Sequence, residues 1–361
     1  MTVARSTIDC HVHLRDPDSI AHLDALRQRV GLKYMNIVCT ISRERVTANP
    51  AAFVAKKDRP GLFYVFASLD HAAHFSGGTV MAPPLWDQVD RLQALGADGI
   101  KMLENKPTSR KFLDIPVDDD YFAPYFARVE ETGFPILWHV NDPEEFWDPA
   151  KTPAWAKKRG WGYDETFVKK EQLYSEVENV LIKHPGLQII FAHFYFLSAD
   201  LPRAGAFLDR FPNVRFDLAP GIEFLYNMSR DVEATRAFFV KYADRIVFGT
   251  DISSSNTPEE AEIRAGIITR WLETDEEYRV PESADFLLGP PEDGLMRGLS
   301  LPADVLAKIY RTNFEKIAGP EPKPLVRELA LEECERIAAE VGILGGDPED
   351  NHARIAVALL S

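Results

Sequence analysis

The chain has 361 residues, of which 45% are hydrophobic and 27% are charged, as in soluble globular proteins. Its formal net charge of −15 argues against nucleic acids and anionic membrane surfaces as partners. No apolar stretch approaches the ~20 residues that span a bilayer, and three scattered cysteines suit reduced thiols, so we expect a cytoplasmic protein.

Eight short apolar runs follow one another along the chain, and helical patterns separate them. In order, the runs are TIDCHVHL, YMNIVCTI, LFYVFASLD, GIKML, PILWHV, LQIIFAHF, VRFDL and RIVFGTD. Strand and helix therefore alternate eight times over about 250 residues, which is the number and size of a (β/α)8 barrel, or TIM barrel. A doubly wound open sheet is the alternative architecture, but no G-x-G-x-x-G follows the first run.

Two segments fall outside this alternation. Residues 144–165, after the fifth run, form an insertion too long for an ordinary βα loop, so we predict a lid over a binding site. Residues 1–319 would then form the barrel, and residues 320–361 a C-terminal helical extension, because LVRELALEECERIAAEVGIL has an amphipathic pattern. We expect this extension to pack on the barrel or on a second subunit. In the second case the protein would be a homodimer.

The first run ends in two histidines with one residue between them, His11 and His13. Successive side chains of a strand point to opposite faces, so both imidazoles face the same side, roughly 7 Å apart at their Cα atoms. Two converging imidazoles are frequent ligands of a divalent metal. The alternative is an exposed strand end with two solvated histidines, and the rest of the chain has to supply further ligands.

Further candidate ligands lie at the ends of later runs. His139 ends the fifth run, His193 the sixth and Asp251 the eighth, while Lys101 lies in the fourth. Alone, either histidine could be an ordinary buried residue, and Asp251 could cap the following helix. The active site of a (β/α)8 barrel lies at the C-terminal ends of its strands. Together these residues therefore predict a ring of ligands around a Zn²⁺-like ion with an open position for water.

In this chain order, the histidines and the aspartate resemble the metal ligands of the amidohydrolase superfamily of metal-dependent hydrolases. The resemblance extends from the first run to the eighth and into VLAKIYRTNFEKIAG, which is similar to the closing helix of the amidohydrolase-related branch. It implies that His11, His13 and Asp251 bind the metal and that His139 is a fourth ligand. His193 would then bind a second metal or act as a general acid or base.

Lys101, in ADGIKMLENK, has three interpretations. It would contact the substrate as a cation, or extend towards Glu104 or Asp98 as a structural residue. In members with two metals, such as dihydroorotase, the lysine of strand four is carboxylated and bridges the ions. HVHLRD is also similar to the dihydroorotase motif whose arginine holds a substrate carboxylate, and this role would fall to Arg15.

Aromatic and basic residues are concentrated in the predicted lid. Aromatic rings beside cations suit a flat or apolar substrate that bears a carboxylate, although they could also belong to an anchored surface loop. We expect Trp147 to contact substrate, and Asn141 to do so or to cap a turn. Glu223 and Asp217 are further candidates for the rim. The other lid residues in question are Trp155, Trp161, Tyr163, Lys157, Lys158 and Arg159.

We therefore expect a metal-dependent hydrolase that cleaves a C–N or C–O bond (an amide, lactone or cyclic imide) of a small carboxylated substrate. One or two divalent ions, Zn²⁺ by default, would activate water, with Asp251 as its base and His193 orienting or polarising the substrate. The substrate would be bound by Arg15, Lys101, Asn141 and Trp147. The alternatives are a non-oxidative decarboxylase of an unsaturated or aromatic acid, and a metal-binding barrel without turnover.

Overall fold

A computed structural model of the chain describes residues 6–221, 223–281, 283–284, 294–345 and 351–361. Its strands are β1 (Ile8–His13), β2 (Tyr34–Val38), β3 (Ile41–Ser42), β4 (Val46–Thr47), β5 (Phe63–Ser68), β6 (Gly99–Asn105), β7 (Ile136–Val140), β8 (Ile189–Phe191), β9 (Val214–Asp217), β10 (Ile246–Val247), β11 (Ile252–Ser253), β12 (Glu277–Arg279) and β13 (Leu295–Arg297). Nine of these described strands form one parallel sheet in the order β10-β9-β8-β7-β6-β5-β2-β1-β11. The pairs β3–β4 and β12–β13 are separate and antiparallel.

The sheet closes into a barrel through the segment 246–253. At one end of this segment β10 pairs with β9, and at the other end β11 pairs with β1. Between them the amide of Cys10 donates to the carbonyl of Phe248 at 2.9 Å, and the amide of Asp251 donates to the carbonyl of His11 at 2.9 Å. The segment therefore serves as the eighth strand, and the predicted TIM barrel is confirmed.

Helices lie between successive strands and cover the barrel. They are α1 (Ile20–Arg29), α2 (Asn49–Asp58), α3 (Ala72–Phe75), α4 (Leu85–Leu95), α5 (Pro107–Leu113), α6 (Ala123–Thr132), α7 (Ala154–Lys158), α8 (Lys170–Lys183), α9 (Leu201–Arg210), α10 (Phe224–Ser229), α11 (Val232–Lys241), α12 (Pro258–Glu273), α13 (Ala303–Ala307), α14 (Asn313–Ala318), α15 (Arg327–Ile343) and α16 (His352–Leu360). In the described part of the chain, none of them combines the length and apolarity that crossing a membrane would need.

The inside of the barrel is filled with apolar side chains below the strand ends. Tyr64, Phe66 and Leu137 from the strands meet Phe314 from α14 there. Gly99 makes room for this packing, because a Cβ at that position would lie 2.7 Å from the ring of Phe66. With the lower part of the barrel filled, the polar side chains gather at the opposite end, where the strands finish.

The last two helices, α15 and α16, pack on each other and on α2 and α4. The connection to the barrel is polar and buried: Nζ of Lys56 is 2.6 Å from Asp98 and donates to the carbonyl of Lys323 at 2.7 Å. On α15, Arg336 reaches Asp70, which follows β5, at 2.7 Å. The division into a barrel and an extension at residue 319, the homodimer and the cytoplasmic location stay predictions.

Candidate metal centre

His11, His13 and Asp251 lie together where β1 and the neighbouring eighth strand end. One ligand atom of each residue, a ring nitrogen or a carboxylate oxygen, lies within 4.8 Å of the other two. Nε2 of His13 is 3.2 Å from Oδ1 of Asp251, and Nε2 of His11 is 3.9 Å from the same oxygen. Two imidazoles and a carboxylate are a donor set of Zn²⁺ and similar ions. These three residues, hereafter the metal trio, therefore fit a divalent ion.

Both histidines of the trio are held through their other ring nitrogen. Nδ1 of His11 is 2.8 Å from Oδ2 of Asp217, and Nδ1 of His13 is 3.1 Å from the carbonyl oxygen of Val38. Because these acceptors are oxygens, we assign the proton to Nδ1, which leaves the lone pair of Nε2 for a metal. Burial also lowers the pKa of His11 well below its usual value, and the neutral imidazole is the form that binds metal.

Asp251 is an ionised carboxylate between several cationic or hydrogen-bonding groups. Burial by itself would raise its pKa, but the hydrogen bond and charge of His13 and the guanidinium of Arg264 hold the pKa well below its usual range. Nη1 of Arg264 is 3.7 Å from Oδ2 of Asp251, the oxygen that does not face His13. The carboxylate is thus negative at neutral pH and can both bind a metal and accept a proton.

Asp9 joins the two strands that carry the trio, and the sequence analysis missed it. Its Oδ1 accepts the amide of His11 at 3.0 Å and the amide of Thr250 at 3.1 Å, while the hydroxyl of Thr250 donates to Oδ2. Burial raises the pKa of Asp9 to about 7. The signal in the sequence was a carboxylate inside an apolar strand, two residues before the first histidine.

His139 and His193 lie beside the trio, with ring centroids 4.8 Å apart, and the ring of His193 is 5.1 Å from that of His11. Nε2 of His139 is 3.0 Å from the carbonyl of Asn141 and 3.1 Å from Oδ1 of Asp142. Nδ1 of His193 is 2.9 Å from the carbonyl of Ala219. Among the described residues, Nδ1 of His139 and Nε2 of His193 have no hydrogen-bond partner that fixes the ring. Burial lowers both pKa values.

Lys101 is buried on β6, and its Nζ lies 3.3 Å from Nε2 of His11. Burial lowers its pKa to about 8, although Asp217 and Asp251 act in the opposite direction. Glu104 does not pair with it, since that carboxylate lies 2.9 Å from Nε2 of His71. Asp98 is paired with Lys56. Lys101 therefore faces the metal trio, and neither predicted structural partner holds it.

The backbone is left-handed at several residues of the site. His193 has φ 55°, Asp251 has φ 57° and Asn141 has φ 70°, and the left-handed turn that begins at His193 continues through Phe196. This conformation is uncommon for residues other than glycine, and it concentrates at functional sites where the surroundings enforce it. The amide of His193 is held by Oδ1 of Asp217 at 2.7 Å, which supports the turn.

A cavity of about 590 Å³ opens above the metal trio. His139, His193 and Lys101 line it together with the trio. The segment 144–165, hereafter the lid segment, supplies part of its wall through Phe146, Trp155, Arg159 and Trp161. The lid segment has its own small apolar cluster, in which Phe146, Ala156 and Tyr163 are buried. The insertion after strand five therefore borders the cavity, as a lid would.

The lid segment is fastened to the barrel through Asp142, another residue that the sequence analysis missed. Nζ of Lys106 lies within 2.6 Å of both carboxylate oxygens, and the hydroxyl of Tyr163 donates to Oδ2. Although burial would raise the pKa of Asp142, Lys106 and His139 keep it below its usual range. The carboxylate is therefore ionised, and it couples the orientation of His139 to the position of the lid segment.

Three of the four predicted substrate contacts lie outside the cavity lining. The side chain of Arg15 is 73% exposed and lies 3.7 Å from Asp16. The side-chain amide of Asn141 is buried and donates to the carbonyl of Lys170 at 3.1 Å. Trp147 packs on Tyr163, with ring centroids 4.9 Å apart. Of the four, only Lys101 lines the cavity.

Asp217 and Glu223, the two further candidates, also lie behind the cavity wall. Asp217 is buried and acts through its hydrogen bonds to His11 and His193. Glu223 is buried too, and burial raises its pKa to about 8. Its Oε2 has no hydrogen-bond partner within the described residues, and it would lie 2.7 Å from a Cβ at Gly221, which does line the cavity.

The chain is similar to one protein-family model and to several solved structures. A family model described as Amidohydrolase matches residues 8–317 of the chain. No curated protein sequence matches it. A solved structure of an amidohydrolase from Burkholderia multivorans with bound zinc has a TM-score of 0.52 at 14% identity, covering 87% of this chain and 99% of that one.

Two further solved structures share the fold. 2,6-Dihydroxybenzoate decarboxylase from Rhizobium has a TM-score of 0.51 at 14% identity, covering 87% of this chain and 98% of that one. A probable 2-pyrone-4,6-dicarboxylic acid hydrolase from Acinetobacter baumannii, with citric acid bound, has a TM-score of 0.50 at 11% identity, covering 87% of this chain and 99% of that one. At these identities the likeness concerns the fold, which therefore carries both decarboxylases and hydrolases.

Proposed function

The chain belongs to the amidohydrolase family, and on that basis we propose that it is a metal-dependent hydrolase of small carboxylated substrates. The bond it cleaves is a C–N or C–O bond, as in an amide, a lactone or a cyclic imide. The observation that carries the proposal is the metal trio, in which two imidazoles and an ionised carboxylate lie within 4.8 Å of one another. The trio lies beside a cavity with room for a small molecule.

His11, His13 and Asp251 would hold the metal, with His139 as a fourth ligand through Nδ1. A divalent ion bound there would lower the pKa of a water ligand to about 7 and polarise a substrate carbonyl. Zn²⁺ is the default, although Mn²⁺ uses the same kinds of ligand. We propose a single ion, because the amine of Lys101 contacts Nε2 of His11 at 3.3 Å and an amine is not a bridging ligand. A second ion would need Lys101 to be carboxylated and His193 to be a ligand.

The remaining catalytic roles fall to three side chains at the trio. Asp251 is ionised and accepts the proton of the attacking water, then delivers it to the leaving group. The neutral ring of His193 presents Nε2 to the cavity and orients the substrate through a hydrogen bond. Lys101 brings a positive charge to the floor of the cavity, where it holds a carboxylate or a developing negative charge.

Decarboxylation of an aromatic acid is the second candidate, and one observation favours it. Phe146, Trp155, Trp161 and Phe196 give the cavity an aromatic wall. Such a wall suits an aromatic acid, which has no bond to hydrolyse and would instead lose CO2. The two reactions differ in their products, because only the decarboxylase releases CO2 and only the hydrolase consumes water.

The experiment uses zinc-loaded protein and a panel of carboxylated lactones, amides, cyclic imides and aromatic acids. We expect ring opening or amide cleavage without CO2 release, and loss of turnover when a chelator removes the metal. Asp251→Asn should lower kcat roughly 10³-fold, because it removes both a ligand and the base. Asp275→Asn, at an exposed aspartate, is the matched control. CO2 release would move the assignment to the decarboxylase, and an active Asp251→Asn variant would refute the role of Asp251.

A further inference from the structure

The cations that line the cavity differ in how they are engaged. Lys106 is bound by both oxygens of Asp142, and Arg264 lies 3.7 Å from Asp251. Lys101 is buried against the metal trio. Arg159 also lines the cavity, but no carboxylate of the described residues forms an ion pair with it. Arg159 is exposed, so its guanidinium is accessible to a ligand in the cavity.

The guanidinium of Arg159 is positioned by aromatic rings of the lid segment. Its Cζ lies 5.1 Å from the ring centroid of Trp161 and 5.6 Å from that of Trp155. The two indoles are nearly perpendicular, with centroids 6.0 Å apart, and Phe146 stacks on Trp161 at 6.1 Å. An arginine held on aromatic faces keeps its N–H groups free in the ring plane, where they can bind a planar anion.

A second guanidinium, that of Arg264, lines the same cavity as Arg159. Burial lowers the pKa of Arg264, Asp251 and Glu260 act in the opposite direction, and the positive charge of Arg159 adds a smaller lowering effect. Arg264 comes from α12, after the eighth strand, whereas Arg159 comes from the lid segment after the fifth. Two like charges, one from the segment after the fifth strand and one from the helix after the eighth, therefore line the same cavity. An anion between them would relieve their repulsion.

We propose that Arg159, supported by Arg264, binds a carboxylate of the substrate that is remote from the bond that reacts. Since Lys101 holds a second negative group beside the metal trio, the substrate is then a flat dianion, with its ring against Trp161 and Trp155 and its reactive end at the trio. This inference rests on the proposed function, because it assigns the substrate class of the same cavity. It gives Arg159 the part in carboxylate recognition that the sequence analysis assigned to Arg15.

The test measures binding of two probes to the zinc-loaded protein: benzoate, with one carboxylate, and isophthalate, with two on the same ring. Titration calorimetry gives the affinities, and the change in tryptophan fluorescence on binding gives a second measure of them. We expect isophthalate to bind at least about tenfold more tightly than benzoate. Arg159→Gln should remove this preference and leave the affinity for benzoate within about twofold. Arg159→Lys should restore only part of it, because lysine lacks the planar fork.

Lys158→Gln is the matched control, because Lys158 is the exposed cation directly before Arg159, at the end of α7, and does not line the cavity. It should bind both probes as the wild type does. The inference is overturned if the wild type binds the two acids equally or neither of them. It is also overturned if Lys158→Gln loses as much affinity for isophthalate as Arg159→Gln. If isophthalate binds through Arg159 but the protein turns over no member of the substrate panel, the proposed function is contradicted and this inference is not.

Discussion

Asp217 lies behind the cavity wall, yet its carboxylate fixes two of the site's histidines. Oδ2 accepts the Nδ1–H of His11 at 2.8 Å, and Oδ1 accepts the backbone amide of His193 at 2.7 Å. A carboxylate on the far nitrogen of a ligating imidazole sets its tautomer and raises its basicity. In the proposed function Asp217 is thus a positioning residue, which would act on the metal through His11 and on the substrate through His193.

Asp217→Asn should weaken zinc binding about 10- to 100-fold, because the amide is a poorer acceptor for His11 and no longer favours a basic Nε2. Competition with a chromophoric chelator measures the affinity directly. Asp275→Asn, at an exposed position, should leave the affinity unchanged. Equal zinc affinity in Asp217→Asn and the wild type would show that His11 is not a ligand or that Asp217 does not position it.

Among the elements, the long helix α15 is held to the barrel by one arginine among three carboxylates. Arg336 lies 2.7 Å from Asp70, 2.6 Å from Glu340 and 2.5 Å from Glu333. A single positive charge cannot compensate three buried negative charges, so one of the acids keeps a proton. Burial and the neighbouring Asp70 raise the pKa of Glu340 to about 9, so we expect Glu340 to be that acid.

This proton makes the docking of α15 sensitive to pH. In the unfolded chain Glu340 releases its proton near pH 4.5, whereas in the folded chain it keeps the proton up to about pH 9. The folded state therefore binds more protons in this window, and the free energy of unfolding falls as pH rises through it. Glu340→Gln cannot titrate, so it should lose less stability than the wild type between about pH 6 and about pH 9.

Urea unfolding at the two pH values measures the difference, with Glu335→Gln as a control at an exposed position of the same helix. Glu335→Gln should lose as much stability as the wild type. If Glu340→Gln loses that amount as well, Glu340 is not the protonated member of the cluster.

The end of α4 connects the barrel to the chain that leads into α15. Gly96 ends this helix with φ 99°, and a Cβ there would lie 2.1 Å from the carbonyl oxygen of Pro324. Gly133 ends α6 with φ 64°, but a Cβ there would meet no atom within 4 Å. The two glycines therefore share the left-handed conformation and differ in the space around them.

Gly133→Ala should lower the free energy of unfolding by roughly 1 kcal/mol, the usual penalty of a left-handed alanine. Gly96→Ala should lower it by about 3 kcal/mol or more, because the segment at Pro324 also has to move. Thermal and urea unfolding of both variants measure the two values. Similar losses in the two variants would mean that the contact between α4 and the segment before α15 does not contribute to stability.

At the scale of the whole molecule, the barrel explains which site residues were predictable. Parallel strands of a closed barrel all end at the same rim, so His11, His13, His139, His193 and Asp251 converge although they are far apart in sequence. This convergence follows from the period of the strands and their polar last residues. The position of the lid segment followed in the same way, from the length of the insertion after strand five.

The remaining site residues depend on geometry that no local pattern contains. Asn141 was expected to contact substrate or to cap a turn, but its backbone is left-handed and its side chain donates to the carbonyl of Lys170. Arg15 follows the end of β1, where strand alternation no longer fixes a direction, and its side chain extends into solvent. Asp9 and Asp217 act through hydrogen bonds to other strands, so their roles depend on the register of the sheet.

The most direct test of the central claim is the zinc content of the purified chain, measured by elemental analysis after expression in zinc-supplemented medium without chelators. The account predicts about one zinc per wild-type chain. In a variant that carries both His13→Ala and Asp251→Asn it predicts almost none, with unchanged far-UV circular dichroism. Two results would contradict the assignment of the metal trio. One is a wild-type chain that contains no zinc and takes up neither Zn²⁺ nor Mn²⁺ on reconstitution. The other is a variant that keeps its full zinc content.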